Sequence, residues 1–459
     1  MNFEKRIIGQ HIAYMPTSPF FKSQSPSNFL MKGLCWAGVI SCFIGLAVGI
    51  RAFGITLFPL RVISVLALPL LIINPVHKEK GIWRFALYLL ILMLIYGISS
   101  LIWSPDPHLG LKRVSELYMG FILFLLVSRY AIDRSVLTKI MIIWSIIIIF
   151  MGLLGVYETM RGEFLFTFAQ DEEAPSMDYM IASVGWLCPR VFSAGRNEFA
   201  FVNAISALVL MGWAFETRGV SRMLALTATL LAIIMVMYTY SRAAFSGLLI
   251  GLMFFVFIFT VKTNSFYRNV TILLMISLGV FLFYNGEEFL YTNIMTSALV
   301  TKVETADNAL RSYYYTTAVI QGTIGSYGFG RGLGASTEII GGGSYHHYLL
   351  EFLAELGPWL LLGYLILMAK VCIQLWSAIR QGRNIFWSCG LLASCIAFPL
   401  LCAGPASIIS EGPYWLWLTF VVSFTEYDSI VMRLNHKQFQ AGSINDGIVR
   451  TQREYIAYQ

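Results

Sequence analysis

Ser344–Gly357 reads SYHHYLLEFLAELG and continues into an apolar stretch that ends near Trp376. The run Tyr348–Trp376 is long enough to cross a bilayer, because a span needs about 20 apolar residues. Glu351 and Glu355 fall in its first two turns, and the histidine pair His346 and His347 stands immediately before it. Such a segment is a membrane helix entered from a long polar loop, and the rest of the chain repeats the pattern. Of 459 residues, 57% are hydrophobic and 12% charged, where soluble domains carry about twice that charged fraction. Further apolar runs lie at Leu34–Ile50, Ile55–Ile73, Ile82–Trp103, Leu117–Ala131, Ile140–Tyr157, Asn197–Phe215, Met223–Tyr240, Ala243–Val261, Val270–Tyr284, Ile385–Leu401 and Tyr414–Tyr427. The fold class is therefore all-α and polytopic, with about 12 transmembrane helices.

Basic residues orient these spans. With the N-terminus in the cytoplasm, about 21 of the 32 Lys and Arg fall on the inner side, as the positive-inside rule requires. The net charge of +7 is thus a topology signal and not a nucleic-acid footprint. Residues 1–33 read as a cytoplasmic tail ahead of a signal-anchor helix, and 428–459 as a second cytoplasmic tail. Between them lie spans 1–9 over 34–284, an outer loop over 285–347, and spans 10–12 over 348–427. The seven cysteines fall mostly inside spans and form no Cys-x-x-Cys pair, so they read as small apolar residues.

Two outer segments are long, one near 158–196 and one over 285–347. Loops beyond about 15 residues are usually functional or disordered, and the second is too rich in Tyr, Ile and Leu for disorder. Its middle, Tyr291–Ile324, reads as helix. It closes on a glycine-rich connection that contains YGFGRGLG, Tyr327–Gly334, with Arg331 inside it. No strand precedes this motif, so it is not a dinucleotide fingerprint. It reads as a turning loop that lets backbone approach a ligand.

Candidate chemistry gathers on the same outer side. A histidine at a helix N-terminus is held neutral by the dipole and can act as a base; an interfacial anchor is the plainer alternative. Arg190, Arg196, Arg242 and Arg311 lie beyond those needed for topology. Each alone could snorkel or pair with Glu351 or Glu355, whereas several converging at headgroup depth suit an anion such as a lipid diphosphate. His347, Glu351 and Glu355 are spaced to share one helix stripe, which His346 does not. Asp171-Glu172-Glu173 reads as a solvated acidic loop before a metal site. No metal-binding motif and no G-x-S-x-G serine occurs in the sequence.

Four segments carry a family resemblance: Arg190–Ala200 (RVFSAGRNEFA), Ser241–Gly247 (SRAAFSG), Arg311–Gly334, and His346–Gly357. In order and placement they resemble the O-antigen ligase and O-antigen (exopolysaccharide) polymerase family of bacterial envelope enzymes. His347 stands where that family usually has Asn, and Pro358-Trp359 departs from its usual small continuation. The resemblance implies a glycosyltransferase of the inner (cytoplasmic) membrane with a periplasmic active site and cytoplasmic termini. It would move a glycan from undecaprenyl diphosphate to a hydroxyl on a glycan or on lipid A–core, with no cofactor, no metal and no nucleic acid. Polysaccharide assembly and export proteins are the implied partners. By the same resemblance His346 is the base, and Arg190, Arg242 and Arg311 hold the diphosphate. Arg196, Asn197, Arg331, His347, Glu351 and Glu355 line the substrate. A lipid-linked oligosaccharide flippase and a metal-dependent, peptidoglycan-type glycan polymerase are the rival readings.

Overall fold

A computed structural model describes residues 26–44, 50–52, 55–73, 81–131, 133–165, 186–193, 195–263, 313, 315–336, 347–405 and 407–433. The described residues are helical apart from one short hairpin and the connections. The helices are α1 (Pro26–Ile44), α2 (Pro59–Ile73), α3 (Ile82–Ser100), α4 (Pro107–Tyr130), α5 (Arg134–Arg161), α6 (Arg196–Glu216), α7 (Val220–Tyr238) and α8 (Arg242–Thr263). A short α9 (315–323) follows, then α10 (Tyr348–Arg380), α11 (Ile385–Leu401) and α12 (412–433). Between α1 and α2, Ile50–Ala52 (β1) pairs antiparallel with Ile55–Leu57 (β2). Among the described residues, α3, α5, α6, α7, α8 and α10 are long and apolar enough to cross a membrane, and shorter apolar helices accompany them. In hydrocarbon every backbone polar group must be satisfied within the protein, which is why the spans are helical.

Local signals set several helix ends. Asp106 caps α4 by accepting from the Leu109 N–H at 2.9 Å, with Pro107 at the first helical position, where a missing N–H costs nothing. Asp133 caps α5 in the same way through Ser135 N–H, and Gly162 ends it in the left-handed region at φ 70°.

At the centre stands α6, buried over most of its length and packed on α7 and α11. Its Gly212 faces Gly390 of α11 so closely that a Cβ there would sit 2.8 Å from the Gly390 Cα. Small residues permit such approaches, and the packing they allow holds membrane helices together where no hydrophobic force does. Trp144 of α5 donates its indole N–H to Ser206 of α6 at 2.8 Å. Around this centre α8 packs on α11, and α4 lies against α1, α2 and α3.

The bundle has two chemically distinct ends. One holds ion pairs of Arg134 with Glu216, Arg383 with Asp428 and Arg433 with Glu426, beside Arg84, Arg222 and Arg380. The opposite end gathers the connections around 101–110, 186–198, 238–242, 328–336 and 402–411, and it carries the candidate site.

Most predicted spans coincide with helices, with instructive exceptions. The span predicted from Leu117 is the second half of α4, which starts ten residues earlier because Asp106 and Pro107 nucleate a helix through the charged stretch 112–116. The first helix begins at Pro26, inside the stretch expected to be tail. The run Val270–Tyr284 and most of the helix expected over Tyr291–Ile324 lie outside the described residues, as do His346 and Arg311. All seven cysteines are thiols outside any disulfide, and six are buried.

Candidate functional site

The site is built on a break in α10. Gly357 leaves the helical region (φ 80°, ψ 170°) and Pro358 follows it. Proline has no N–H to give, so the turn before it loses its donors. The carbonyls of Ala354 and Glu355 are the orphans, and in a membrane protein they must find other partners. The glycine-rich connection supplies them. Arg331 N–H donates to the Ala354 carbonyl at 2.8 Å and Gly332 N–H to the Glu355 carbonyl at 3.0 Å.

That docking explains the alternation of glycines in YGFGRGLG. Gly330 has φ +73°, and a Cβ on it would meet the Glu355 carbonyl oxygen at 2.5 Å and the Gly357 nitrogen at 2.6 Å. Further along, Leu333 N–H donates to Ser100 Oγ at 3.1 Å, and Ser104 Oγ donates to the Leu333 carbonyl at 2.8 Å. The glycines thus admit the protein's own broken helix and the α3–α4 turn. The close backbone approach expected from the sequence is thus made to the protein's own backbone. Arg331 itself is exposed and donates to Gln321 Oε1 at 2.9 and 2.6 Å.

Beneath the connection lies a buried ionic network that sequence reasoning did not find. Arg113 of α4 reaches Glu351 of α10 at 3.3 Å through Nη2, and Glu116 at 3.2 Å through Nη1. The same Nη1 donates to Ser407 Oγ at 2.7 Å. Glu355, fully buried, accepts from Ser336 N–H at 3.3 Å. Among the described residues Glu351 therefore takes Arg113 as its partner, where a motif arginine was expected. The signal that could have found Arg113 is the Asp-Pro helix start, which places Arg113 and Glu116 at i, i+3 on one outer turn.

The connection 402–411 is the hub of this end. Its Cys402 carbonyl accepts from Tyr348 N–H at 3.0 Å, which ties down the start of α10. A Cβ on Gly404 would lie 3.3 Å from Ser241 Oγ and 3.7 Å from Asn197 Cβ. Ser407 meets Arg113, and Glu411 is buried at the foot of α12. Burial, with Glu198 and Glu116 nearby, pushes the Glu411 carboxyl well above the usual range. Tyr348, Tyr364 and Tyr414 join their hydroxyls in a chain at 3.3 Å per link just inside.

The other described motif residues lie at the same end of the bundle. Arg190 is buried with its guanidinium 3.9 Å above the Phe164 ring. Its backbone is fixed by Glu158, whose Oε2 accepts from Arg190 and Val191 N–H at 3.0 Å each while Oε1 accepts from Leu165 N–H. Exposed Arg196 opens α6 and reaches Cys188 Sγ at 3.9 Å. Arg242 opens α8, exposed, directly after the Ser241 that Gly404 approaches. His347 is the N-cap of α10 with extended backbone (φ −158°, ψ 102°). Helical periodicity starts only at Tyr348, so the expected stripe of His347 with Glu351 and Glu355 does not form. The His347 ring stands edge-on to Tyr315 at 5.7 Å. Burial lowers its pKa, keeping it neutral below the usual histidine range; the direction matches the sequence expectation, but desolvation and not the helix dipole is the first cause.

Beside the break, an apolar groove of about 390 Å³ opens between α3 and α10, with Leu89, Tyr96 and Leu360 in its wall and Trp359 and Phe329 at its rim. Among the described residues, no group of three or more His, Cys, Asp or Glu could hold a metal ion.

No family model matches the chain. It is similar to the teichuronic acid biosynthesis protein TuaE of Bacillus subtilis (strain 168), with 23% identity over 368 residues, 75% of this chain and 72% of that protein. A polytopic membrane protein whose motif segments meet at one end of the bundle is thus a distant relative of a bacterial teichuronic acid biosynthesis protein.

Proposed function

We propose that this protein is a glycan polymerase of the bacterial cytoplasmic membrane, which transfers a glycan from undecaprenyl diphosphate to a sugar hydroxyl on a second carrier-linked chain. The observation that carries this reading is the convergence of the Asn197, Ser241–Arg242 and His347 segments on the 402–411 connection, with the Arg190 segment joined to α6 where Arg196 reaches Cys188. The charge pattern assigns that end to the outer face. The relative's part in teichuronic acid biosynthesis favours a polymer-forming step over ligation to lipid A–core.

In the reaction, the acceptor hydroxyl oxygen attacks the anomeric carbon as the bond from that carbon to the phosphate oxygen breaks. The diphosphate leaves with the electron pair, and the hydroxyl proton passes to an imidazole. His346 is the base, a role worth about 10²–10⁴ in rate, and His347, held neutral beside it, orients the acceptor. Arg190, Arg242 and Arg311 offset the charge that develops on the departing diphosphate. The apolar groove between α3 and α10 has room for part of the polyprenyl chain.

Purified protein given lipid-linked oligosaccharide should lengthen the glycan on the carrier. His346→Ala should abolish this, His347→Asn should retain it in part, and EDTA should leave it intact. Full activity of H346A ends the base assignment. Loss of activity in EDTA turns the reading toward a metal-dependent polymerase, and lipid movement without elongation turns it toward a flippase.

A further inference from the structure

Arg113 touches three segments at once: its own α4 through Glu116, the 402–411 connection through Ser407, and the first half of α10 through Glu351. That half-helix, 348–356, is cut off from the rest of α10 by Gly357 and Pro358. It is therefore free to swing as a unit unless something outside the helix holds it. Beside the packing of its buried side chains and the Tyr348–Tyr414 hydroxyl contact, it is tied by Cys402 at its first residue, by Arg113 on Glu351, and by the glycine-rich connection at Ala354 and Glu355. Among these ties the Arg113 bridge alone pairs opposite charges, with the Glu351 side chain 2% and the Arg113 side chain 14% exposed. Removing one partner of a buried pair leaves an uncompensated charge, so the geometry is strongly enforced. A guanidinium suits the task because its planar fork can serve three acceptors in fixed directions.

We propose that Arg113 is a positioning residue, which locks the half-helix 348–356 and with it the histidine-bearing N-cap at the orientation required for transfer. This rests on the proposed function, but the locking itself does not. Two readouts separate them. In the transfer assay, Arg113→Ala should lower kcat about a hundredfold, as expected for a displacement of about 1 Å at the reacting groups, with the donor KM within about threefold. Arg113→Lys keeps the charge but not the fork, and should recover only part of kcat. By hydrogen exchange in detergent, R113A should lose amide protection over 347–356 and 331–336, with α6 and α7 unchanged.

Glu351→Gln removes one charge without changing shape, and serves if R113A fails to fold. It should show the same exchange pattern more weakly, because Arg113 keeps Glu116. Unchanged exchange over 347–356 in R113A, or in E351Q where R113A does not fold, overturns the locking. Wild-type kcat in a variant that has lost that protection overturns the link to transfer. Absence of transfer by the wild-type protein, with the exchange pattern as expected, refutes the proposed function and leaves the lock standing.

Discussion

Gly330→Ala isolates the seat of the glycine-rich connection on the break in α10. Two costs add at this position. A non-glycine residue in the left-handed region loses about 1 kcal/mol or somewhat more, and Gly330 sits at φ +73°. The new methyl would then stand 2.5 Å from the Glu355 carbonyl oxygen and 2.6 Å from the Gly357 nitrogen. Both are backbone atoms, so the connection must lift away. Lifting loosens the bonds from Arg331 to Ala354 and from Gly332 to Glu355, each worth about 1 kcal/mol net, more where the carbonyl is left dry. The total is about 3–4 kcal/mol. Gly382 provides the control: its φ is +76°, and a Cβ there meets nothing within 4 Å, so Gly382→Ala should cost only the conformational part, about 1 kcal/mol. Denaturant unfolding of both variants in one detergent gives the difference directly. If G330A and G382A lie within about 0.5 kcal/mol of each other, the resolution expected of such comparisons, the connection does not hold the broken helix.

Two further predictions follow from buried carboxylates. Glu158→Ala orphans three backbone N–H groups, those of Leu165, Arg190 and Val191, at about 1 kcal/mol or more each. E158A should shift Trp186 emission to the red as its contact with Tyr240 at 4.8 Å loosens; emission identical to wild type would count against the anchor. Glu411 has its folded-state pKa raised by burial. Its contribution is fully present below the unfolded carboxylate pKa and is lost as pH rises through the folded value. Glu411→Gln cannot ionise, so its melting temperature should fall less than that of wild type between pH 5 and pH 8, and parallel curves would refute the assignment.

How much of this was legible in the sequence depends on which atoms do the holding. Spans were legible because apolar length is a strong signal, and α6 or α10 could hardly be anything else. The convergence of motifs on one end was legible through charge asymmetry. The start of α4 was hidden because Lys112, Arg113 and Glu116 lower its hydropathy, although the structure shows the helix capped at Asp106. Glu351 was legible as a buried charge in need of a partner, but the partner was not. Arginines named by a family pattern drew attention to 190, 242 and 311, while Arg113, in a segment without a motif, supplies the ion pair.

The connection 402–411 shows why that limit is physical and not a matter of closer reading. Its residues, CAGPASIISE, are mostly small, with one acid, and as a sequence they resemble any short link between two spans. What it does, it does largely through backbone: the Cys402 carbonyl receives Tyr348 N–H, and Gly404 lets Ser241 and Asn197 approach. Backbone groups are the same in every residue, so a hydrogen bond to a carbonyl leaves no mark on the residue that offers it. Side chains mark such a hub only where they are small enough to stay out of the way. The histidine-bearing half-helix depends on this connection at its first residue and on Arg113 three residues further on. A single change at either point therefore acts on the same rigid unit, and effects at 402–411 and at Arg113 on the orientation of His347 should be coupled rather than additive.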